Sequence, residues 1–258
     1  MKDFTLRQYE RYLRAIINAG IPFYRYDEFL EQNIHTNQKY CLVRHDVDRK
    51  PKLSLDMAKL EHQLGIKSTY YFRIKSCSFK PEIMKGIAAL GHEIGYHYET
   101  LSDTDGDADQ AFELFKSNLQ KFKAICPIKT CSMHGRPFKP YDNRDIWKHK
   151  DYHAKLKADL GLLGEVYLDI DYSGIAYIND TGRNWTSGKS NVRDKVDSKI
   201  AADFESGEDL LNYLKNPHPK MVFQIHPERW SDDFLTWQIQ SKKDVAINTI
   251  KKVLSYLR

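Results

Sequence analysis

The sequence has no hydrophobic run long enough to cross a membrane, which takes about 20 mostly apolar residues in succession. The segment that starts at Met1 also lacks the apolar stretch and small-residue cleavage site of a secretory signal peptide. Cysteine is scarce, with four residues and no C-x-x-C pair in a chain of 258. These absences predict no membrane span and favour a protein of the reducing cytoplasm.

Charge of one sign is not concentrated anywhere in the chain. Lysine and arginine number 40 against 35 acidic residues, a net charge of +5, and they are dispersed without a basic block. This distribution is typical of solvated surfaces and argues against a nucleic-acid partner. No glycine-rich loop of the G-x-x-x-x-G-K-[ST] kind occurs, which disfavours a phosphoryl-transfer enzyme.

Strand-like and helix-like segments alternate along the chain, whose length suits one domain over residues 1–258. Apolar and aromatic runs predict strands at 40–43, 68–74, 92–97, 129–133, 165–170, 174–178 and 221–226. Segments with apolar residues on one helical face lie between them, most clearly at 111–125, and a last helix is expected at 244–257. The alternation predicts an α/β fold with about seven parallel strands, either closed into a barrel or doubly wound.

Five of these strands end in clusters of ionisable residues. The clusters are His45-Asp46-Val47-Asp48, His97-Tyr98-Glu99, His134-Gly135-Arg136, Asp169-Ile170-Asp171 and His226-Pro227. In barrels of parallel strands the carboxyl ends of the strands meet at one face, where functional residues gather. We therefore expect these side chains to share one site.

Asp46 and Asp48 are two residues apart, so in an extended chain both side chains project to the same side. Two neighbouring buried carboxylates repel each other unless a cation or a proton compensates. A divalent metal ion does so by taking one carboxylate as a ligand and leaving the other as a base. On this pattern alone a plainer alternative is favoured, in which the two aspartates cap the following helix or pair with Arg44 and Arg49.

Histidines at three strand ends change that balance. His97, His134 and His226 each close a predicted strand, and aspartate with histidine is an ordinary ligand pair for zinc or a similar ion. A single histidine is more often a surface or core residue than a ligand. Three of them at strand ends predict a metal centre with an open position for water, as a catalytic metal needs.

Several motifs follow one another in a specific order over residues 40 to 230. They are His45 to Asp48, Ser68 to Phe72, Gly91 to His97, Met133 to Gly135, Tyr177 to Arg183 and Ile225 to Trp230. In these motifs the chain resembles the polysaccharide deacetylase (NodB-like, carbohydrate esterase 4-like) superfamily, and more narrowly the deacetylase-like proteins of O-antigen and surface-glycan clusters. The resemblance implies a distorted (β/α) barrel and a zinc-like metal that activates water against an N-acetyl group on a sugar.

By the same resemblance, Asp46 is the expected general base, Asp48 and His97 are the expected metal ligands, and His226 is the expected general acid. The chain departs from the family four residues after His97, where the second metal histidine usually stands and this chain has Leu101. One metal ligand is therefore missing from its usual place.

Two residues are candidates for the missing ligand. His134 closes a predicted strand, in a stretch His134-Gly135-Arg136-Pro137 where the family usually has an Arg-Pro pair. Glu99 follows His97 by two residues and shares its side if the strand continues. We expect His134 to be the ligand, because imidazole is common in divalent sites, with Glu99 as the competing candidate and otherwise a substrate-binding residue.

Asp171, Arg183 and Trp185 are further expected substrate-binding residues. A tryptophan stacks on a sugar face, while aspartate and arginine hydrogen-bond hydroxyls or an acidic substituent. An equally weighted alternative is that Asp180-Thr181-Gly182 is only a turn and Trp185 a core anchor.

Two functions from different classes remain open. The first is a hydrolase that deacetylates a sugar or a nucleotide-sugar before export. The second is a carbohydrate-binding or glycan-assembly protein that kept the fold and lost the chemistry, for which Leu101 is the best support. The presence of Asp46, Asp48, His97 and His226 together favours the enzyme.

Overall fold

The computed structural model describes residues 2–32, 34, 38–136, 138–186 and 193–256, the last six by their backbone alone. Its strands are β1 Phe23–Tyr24, β2 Tyr40–Val47, β3 Thr69–Phe72, β4 Glu93–Tyr98, β5 Thr130–Met133, β6 Gly164–Glu165, β7 Ala176–Asn179 and β8 Lys220–Ile225. Its α-helices are α1 Leu6–Asn18, α2 Tyr26–Glu31, α3 Pro51–Gln63, α4 Pro81–Ala89, α5 Thr100–Asp103, α6 Ala108–Lys123, α7 Tyr152–Ala158, α8 Gly207–Tyr213 and α9 Phe234–Tyr256. Short 3-10 helices cover Asn143–Lys148 and Pro227–Arg229.

All the described strands belong to one parallel sheet. Seven of them follow the order β6-β5-β4-β3-β2-β8-β7, and β1 pairs beside β2. Helices lie in the connections between consecutive strands, except in that from β6 to β7. The sheet curls into an open, distorted (β/α) barrel, which confirms the α/β fold with about seven parallel strands. Among the residues described, no helix has both the length and the apolar character to cross a bilayer.

Strand β2 carries core residues on both of its faces. Tyr40 and Leu42 pack in one apolar cluster, while Cys41 and Val43 pack in a second. Since side chains alternate along a strand, Asp46 continues the face of Tyr40 and Leu42. The sequence of this strand therefore directs one carboxylate toward the interior of the barrel.

Helix starts follow the local capping rules. The Thr5 hydroxyl accepts from the backbone N–H of Gln8 at 3.1 Å, which caps α1, and Pro51 and Pro81 open α3 and α4. The last helix begins earlier than the sequence predicted, at Phe234 rather than near residue 244. Residue 257, where that helix was expected to end, lies outside the described residues, as does residue 137.

The predicted strand over 165–170 is wrong beyond Glu165. The backbone N–H groups of Leu168 and Asp169 donate to the Glu165 carbonyl at 3.0 and 2.9 Å, so the chain turns back on itself. The Asp169 carboxylate accepts from the Glu165 backbone N–H at 2.8 Å and closes the turn. A turn closed by an aspartate side chain outweighs the strand propensity of the apolar residues within it.

A buried polar cluster lies on the other face of β2. Glu61 of α3 is fully buried, and its carboxylate accepts from the hydroxyls of Tyr9, Ser68 and Tyr70 at 2.5, 2.5 and 2.7 Å. The Nε2 atom of His45 lies 2.6 Å from the same carboxylate. Burial by itself raises the pKa of a carboxyl, but the His45 ring and these hydrogen bonds outweigh it and lower the pKa of Glu61 from 4.5 to about 2.

We expect Glu61 to make the fold sensitive to acid. A carboxyl with a lower pKa in the folded chain stabilises the fold above its unfolded pKa, and this contribution is lost as the pH falls from about 4.5 through about 2. At neutral pH this contribution of Glu61 to the free energy of unfolding is about 3 kcal/mol. Urea unfolding of the wild type and of Glu61→Gln at several pH values between about 6 and 3 measures it. The free energy of unfolding should fall more steeply for the wild type, and parallel curves would contradict the prediction.

Candidate metal and catalytic site

Four of the five polar strand ends meet at one pocket of about 340 Å³. Asp46 and Asp48 come from the end of β2, and His97 lies in β4. His134 directly follows β5, and His226 directly follows β8. Because these strands run parallel in one sheet, their carboxyl ends bring the five side chains to a single edge.

Asp48, His97 and His134 direct one donor atom each toward a common point. The carboxylate oxygen and the two imidazole nitrogens lie within 4.8 Å of one another. The Nε2 atoms of His97 and His134 are 3.7 and 3.4 Å from Asp48 Oδ1. That oxygen is buried and accepts no hydrogen bond within the described residues, a costly state for a carboxylate without a cation.

The orientation of the two rings leaves both Nε2 atoms available to a cation. His97 Nδ1 is 3.0 Å from the carbonyl oxygen of Ser132, which can only accept, so Nδ1 carries the proton. His134 Nδ1 is 3.0 Å from Glu99 Oε2, and an ionised carboxylate also only accepts. Such outer contacts orient the histidines of metal sites, and one carboxylate with two imidazoles fits a divalent transition metal ion.

Glu99, the competing candidate for the third ligand, lies behind His134 and contacts the Nδ1 atom of that ring. It is 2% exposed and accepts from Arg73 Nη2 and Nε at 2.8 and 3.1 Å, besides its contact with His134. Leu101, at the position of the missing histidine, packs in the apolar core. His134, and not Glu99, therefore joins the other two donors in this arrangement.

The carboxylates around His134 favour a positive charge at that end of the donor set. Burial favours the neutral ring of His134, but Asp48 and Glu99 outweigh it and raise its pKa to about 9. Burial lowers the pKa of His97 to about 4. A proton or a metal ion next to His134 therefore compensates the nearby carboxylates.

Asp46 is held firmly beside the donor set. Arg44 Nε donates to its Oδ1 at 2.8 Å, Arg44 Nη2 donates to its Oδ2 at 2.7 Å, and Gln224 Nε2 donates to Oδ2 at 2.7 Å. Burial raises the pKa of a carboxyl, but Arg44 outweighs it and holds the pKa of Asp46 well below its usual range. Asp46 therefore pairs with Arg44, as the sequence left open, and also lines the pocket. Its Oδ2 atom is 3.7 Å from His97 Nε2.

His226 is anchored by Asp180, a residue for which the sequence left a simple turn as one of two equally weighted alternatives. The two side chains are 2.6 Å apart, and the His226 backbone N–H donates to the same carboxylate at 3.0 Å. Arg229 and Trp230 donate to it at 2.9 and 2.8 Å. Burial and Arg229 favour the neutral ring, but Asp180 outweighs both and raises the pKa of His226. The pair is 46 positions apart in sequence and forms because β7 lies beside β8.

Three predicted substrate-binding residues are not brought to the pocket. Asp171 is exposed and accepts a backbone hydrogen bond within its own turn, after the misassigned strand. Trp185 is 3% exposed and stacks on Phe4 at 5.3 Å, so it is a core anchor and its ring is not available to a sugar. Arg183 donates to the Arg229 carbonyl at 3.0 Å and lies over the Phe4 ring.

The pocket is also lined by side chains that are not among the predicted site residues. Arg49, Arg73 and Lys139 contribute positive charge, and Phe138, 56% exposed, offers an aromatic surface. In the folded chain these residues lie outside helices and strands, and of the four only Arg73 falls within a predicted strand, at 68–74. Only their position beside the strand ends indicates a role.

Comparisons with known proteins give distant structural similarities. Neither a family model nor a curated protein matches the chain. The chain is similar to a CE4 esterase from Streptococcus mutans, with 15% identity and a TM-score of 0.48 over 93% of this chain and 90% of that one. A family 4 carbohydrate esterase from Bacillus anthracis gives 11% identity and a TM-score of 0.40 over 87% and 85%.

A CE4 family pseudoenzyme from Bacillus anthracis gives 13% identity and a TM-score of 0.44 over 84% of this chain. The chain spans 63% of the length of that pseudoenzyme, and 65% of a mutant of it with restored enzymatic activity. Because these similarities are distant, no function is inferred from them.

Proposed function

We propose that the protein is a metal-dependent hydrolase that removes an acyl group, in the first instance N-acetyl, from a carbohydrate. The observation that carries the proposal is the buried Asp48 oxygen, which accepts no hydrogen bond from any described residue and is faced by the Nε2 atoms of His97 and His134. The carbohydrate class follows from the motif resemblance, and the exposed Phe138 ring suits a sugar face. A sugar or nucleotide-sugar precursor of a surface glycan is the substrate form we propose, with the reaction in the cytoplasm.

Asp48, His97 and His134 would hold the metal ion, and zinc is an ordinary ion for such a donor set. When bound, a divalent ion of this kind supplies Lewis-acid polarisation of a carbonyl group and lowers the pKa of water. The chain itself contributes the tautomers and ring positions of the two histidines through Ser132 and Glu99.

Asp46 takes the role of general base. It is ionised, and its Oδ1 accepts only the hydrogen bond from Arg44 within the described residues, so a lone pair remains for the proton of the attacking water. The grip of Arg44 and Gln224 keeps the carboxylate in one position beside the donor set. Fixed geometry of this kind reduces the entropy cost of the reaction.

His226 takes the role of general acid. Asp180 accepts from its Nδ1 and thereby stabilises the imidazolium, while Nε2 carries a proton for the departing amine nitrogen. The base and the acid then stand on neighbouring strand ends, at β2 and β8. One residue removes a proton from water, and the other returns a proton to the leaving group.

We expect the purified protein to contain about one transition metal ion per chain, measured by elemental analysis. Asp48→Ala, His97→Ala and His134→Ala should each lose it, because each removes one of three donors. Circular dichroism of each variant checks that the fold is retained.

The matched control is His149→Ala. His149 is 44% exposed and pairs with Asp109 on the surface, so its loss should leave the metal content unchanged. If His134→Ala retains the metal ion and Glu99→Ala loses it, then Glu99, and not His134, is the third ligand. A parent protein without metal, even after incubation with zinc or cobalt, would overturn the proposal in favour of a carbohydrate-binding protein without activity.

A further inference from the structure

The pocket carries more positive than negative charge. Among the residues that the structure describes, five basic and three acidic side chains line it, and a divalent ion at the donor set would add two positive charges. A neutral sugar gains little from this excess, whereas a substrate with an anionic group is attracted by it. The hydrogen-bond partners of each basic side chain determine which of them is free to bind such a group.

Four of the five basic side chains already bind a carboxylate of the protein. Arg73, Arg136, Lys139 and Arg229 each donate a hydrogen bond to an aspartate or glutamate, at 2.6 to 2.9 Å. Their donors are therefore partly engaged, and their charge is compensated locally. These four stabilise the walls of the pocket.

Arg49 differs from the other four. Within the described part of the chain its guanidinium donates no hydrogen bond, and its Nε is buried without a partner. The nearest carboxylate is that of Glu228, whose Oε1 is 3.6 Å from Arg49 Nη2. Glu228 is fully buried, whereas the Arg49 side chain is 39% exposed and lines the pocket. The Nη groups of Arg49, unlike its buried Nε, are thus available to a ligand.

From this geometry we infer that Arg49 binds an anionic group of the substrate, a carboxylate or a phosphate; the inference rests on the proposed function. A guanidinium with unengaged N–H groups binds such anions through two parallel hydrogen bonds. Arg49 directly follows Asp48 in the chain, so the anion lies near the acyl group that is removed. The substrate class is therefore an acidic N-acylated sugar or a sugar attached to phosphate.

Ligand-observed NMR with four matched sugars tests the inference. The probes are N-acetylglucosamine, its uronic acid, its 6-phosphate and its uridine diphosphate conjugate. We expect at least one anionic sugar to bind the wild type about 10- to 100-fold more tightly than the neutral sugar, the size of effect typical of a charge-assisted hydrogen bond. Which of the anionic sugars binds distinguishes a carboxylate from a phosphate.

The variant Arg49→Ala should lose this preference, with binding of the neutral sugar within about twofold of the wild type. Arg49→Lys should retain part of it, since it keeps the charge and loses the paired geometry. Lys139→Ala is the matched control: Lys139 is 38% exposed in the same pocket and has the same charge, but it binds Asp105. It should keep the preference within about threefold.

Equal binding of neutral and anionic sugars, or no binding of any of them, would overturn the inference. An equal loss of the preference for anionic sugars in Arg49→Ala and Lys139→Ala would show a general charge effect and would also overturn the inference. Free acetate in the same spectra reports on the hydrolase separately. Anion preference without acetate contradicts the proposed function alone, and acetate release without anion preference contradicts the inference alone.

Discussion

Replacing Asp46 with asparagine is expected to lower the rate of acyl removal by about 10²- to 10⁴-fold, the usual contribution of a general base. Asparagine has nearly the same shape but cannot accept a proton from water. The metal content should stay at the wild-type level, because Asp46 is not among the three donors. Acetate release from N-acetylated sugars, measured beside elemental analysis, checks both expectations.

The same substitution should also lower the stability of the fold. Arg44 is fully buried, and among the described residues Asp46 is the carboxylate to which it donates. Leaving a buried guanidinium without its carboxylate costs about 3–5 kcal/mol. Activity must therefore be measured well below the lowered unfolding temperature.

A double variant separates the two effects. Arg44→Met together with Asp46→Asn removes both members of the buried pair, which is often close to neutral for stability. We expect this variant to regain most of the unfolding temperature and none of the activity. Recovery of activity together with stability would show that Asp46 supports the fold and is not the base.

Replacing His226 with alanine is the second change with a large expected effect, a loss of about 10²- to 10⁴-fold in the rate. The departing amine nitrogen then has no imidazolium to protonate it. The metal content and the fold should be retained, since His226 is also outside the donor set.

The pH profile tests the part of this role that depends on Asp180. A general acid works only while protonated, so the rate falls as the pH rises above the pKa of His226. Burial and Arg229 lower that pKa, and Asp180 outweighs them and raises it. In Asp180→Asn the raising contribution is weakened, so the alkaline limb of the profile should move to lower pH. An alkaline limb that stays in place would contradict the assignment of His226.

The α/β alternation and most of the strand ends could be predicted from the sequence alone. Apolar runs such as 40–43 and 221–226 are long enough and regular enough to predict buried strands without tertiary information. Asp46, Asp48, His97, His134 and His226 were predicted to meet because parallel strands end at one edge of a sheet, and the structure brings them to one pocket. Their roles as ligands, base and acid stay predictions, as does a single domain over residues 1–258.

Only the tertiary structure determined the features that depend on contacts between residues distant in sequence. The turn after Glu165 removed Asp171 from the site, and packing against Phe4 buried Trp185, because local propensity contains neither contact. The order of the strands paired Asp180 with His226, and it placed Glu99 behind His134. A motif states which residue types are present, but only the folded chain determines which of their atoms remain without a hydrogen-bond partner, and those atoms indicate where a cation and a substrate bind.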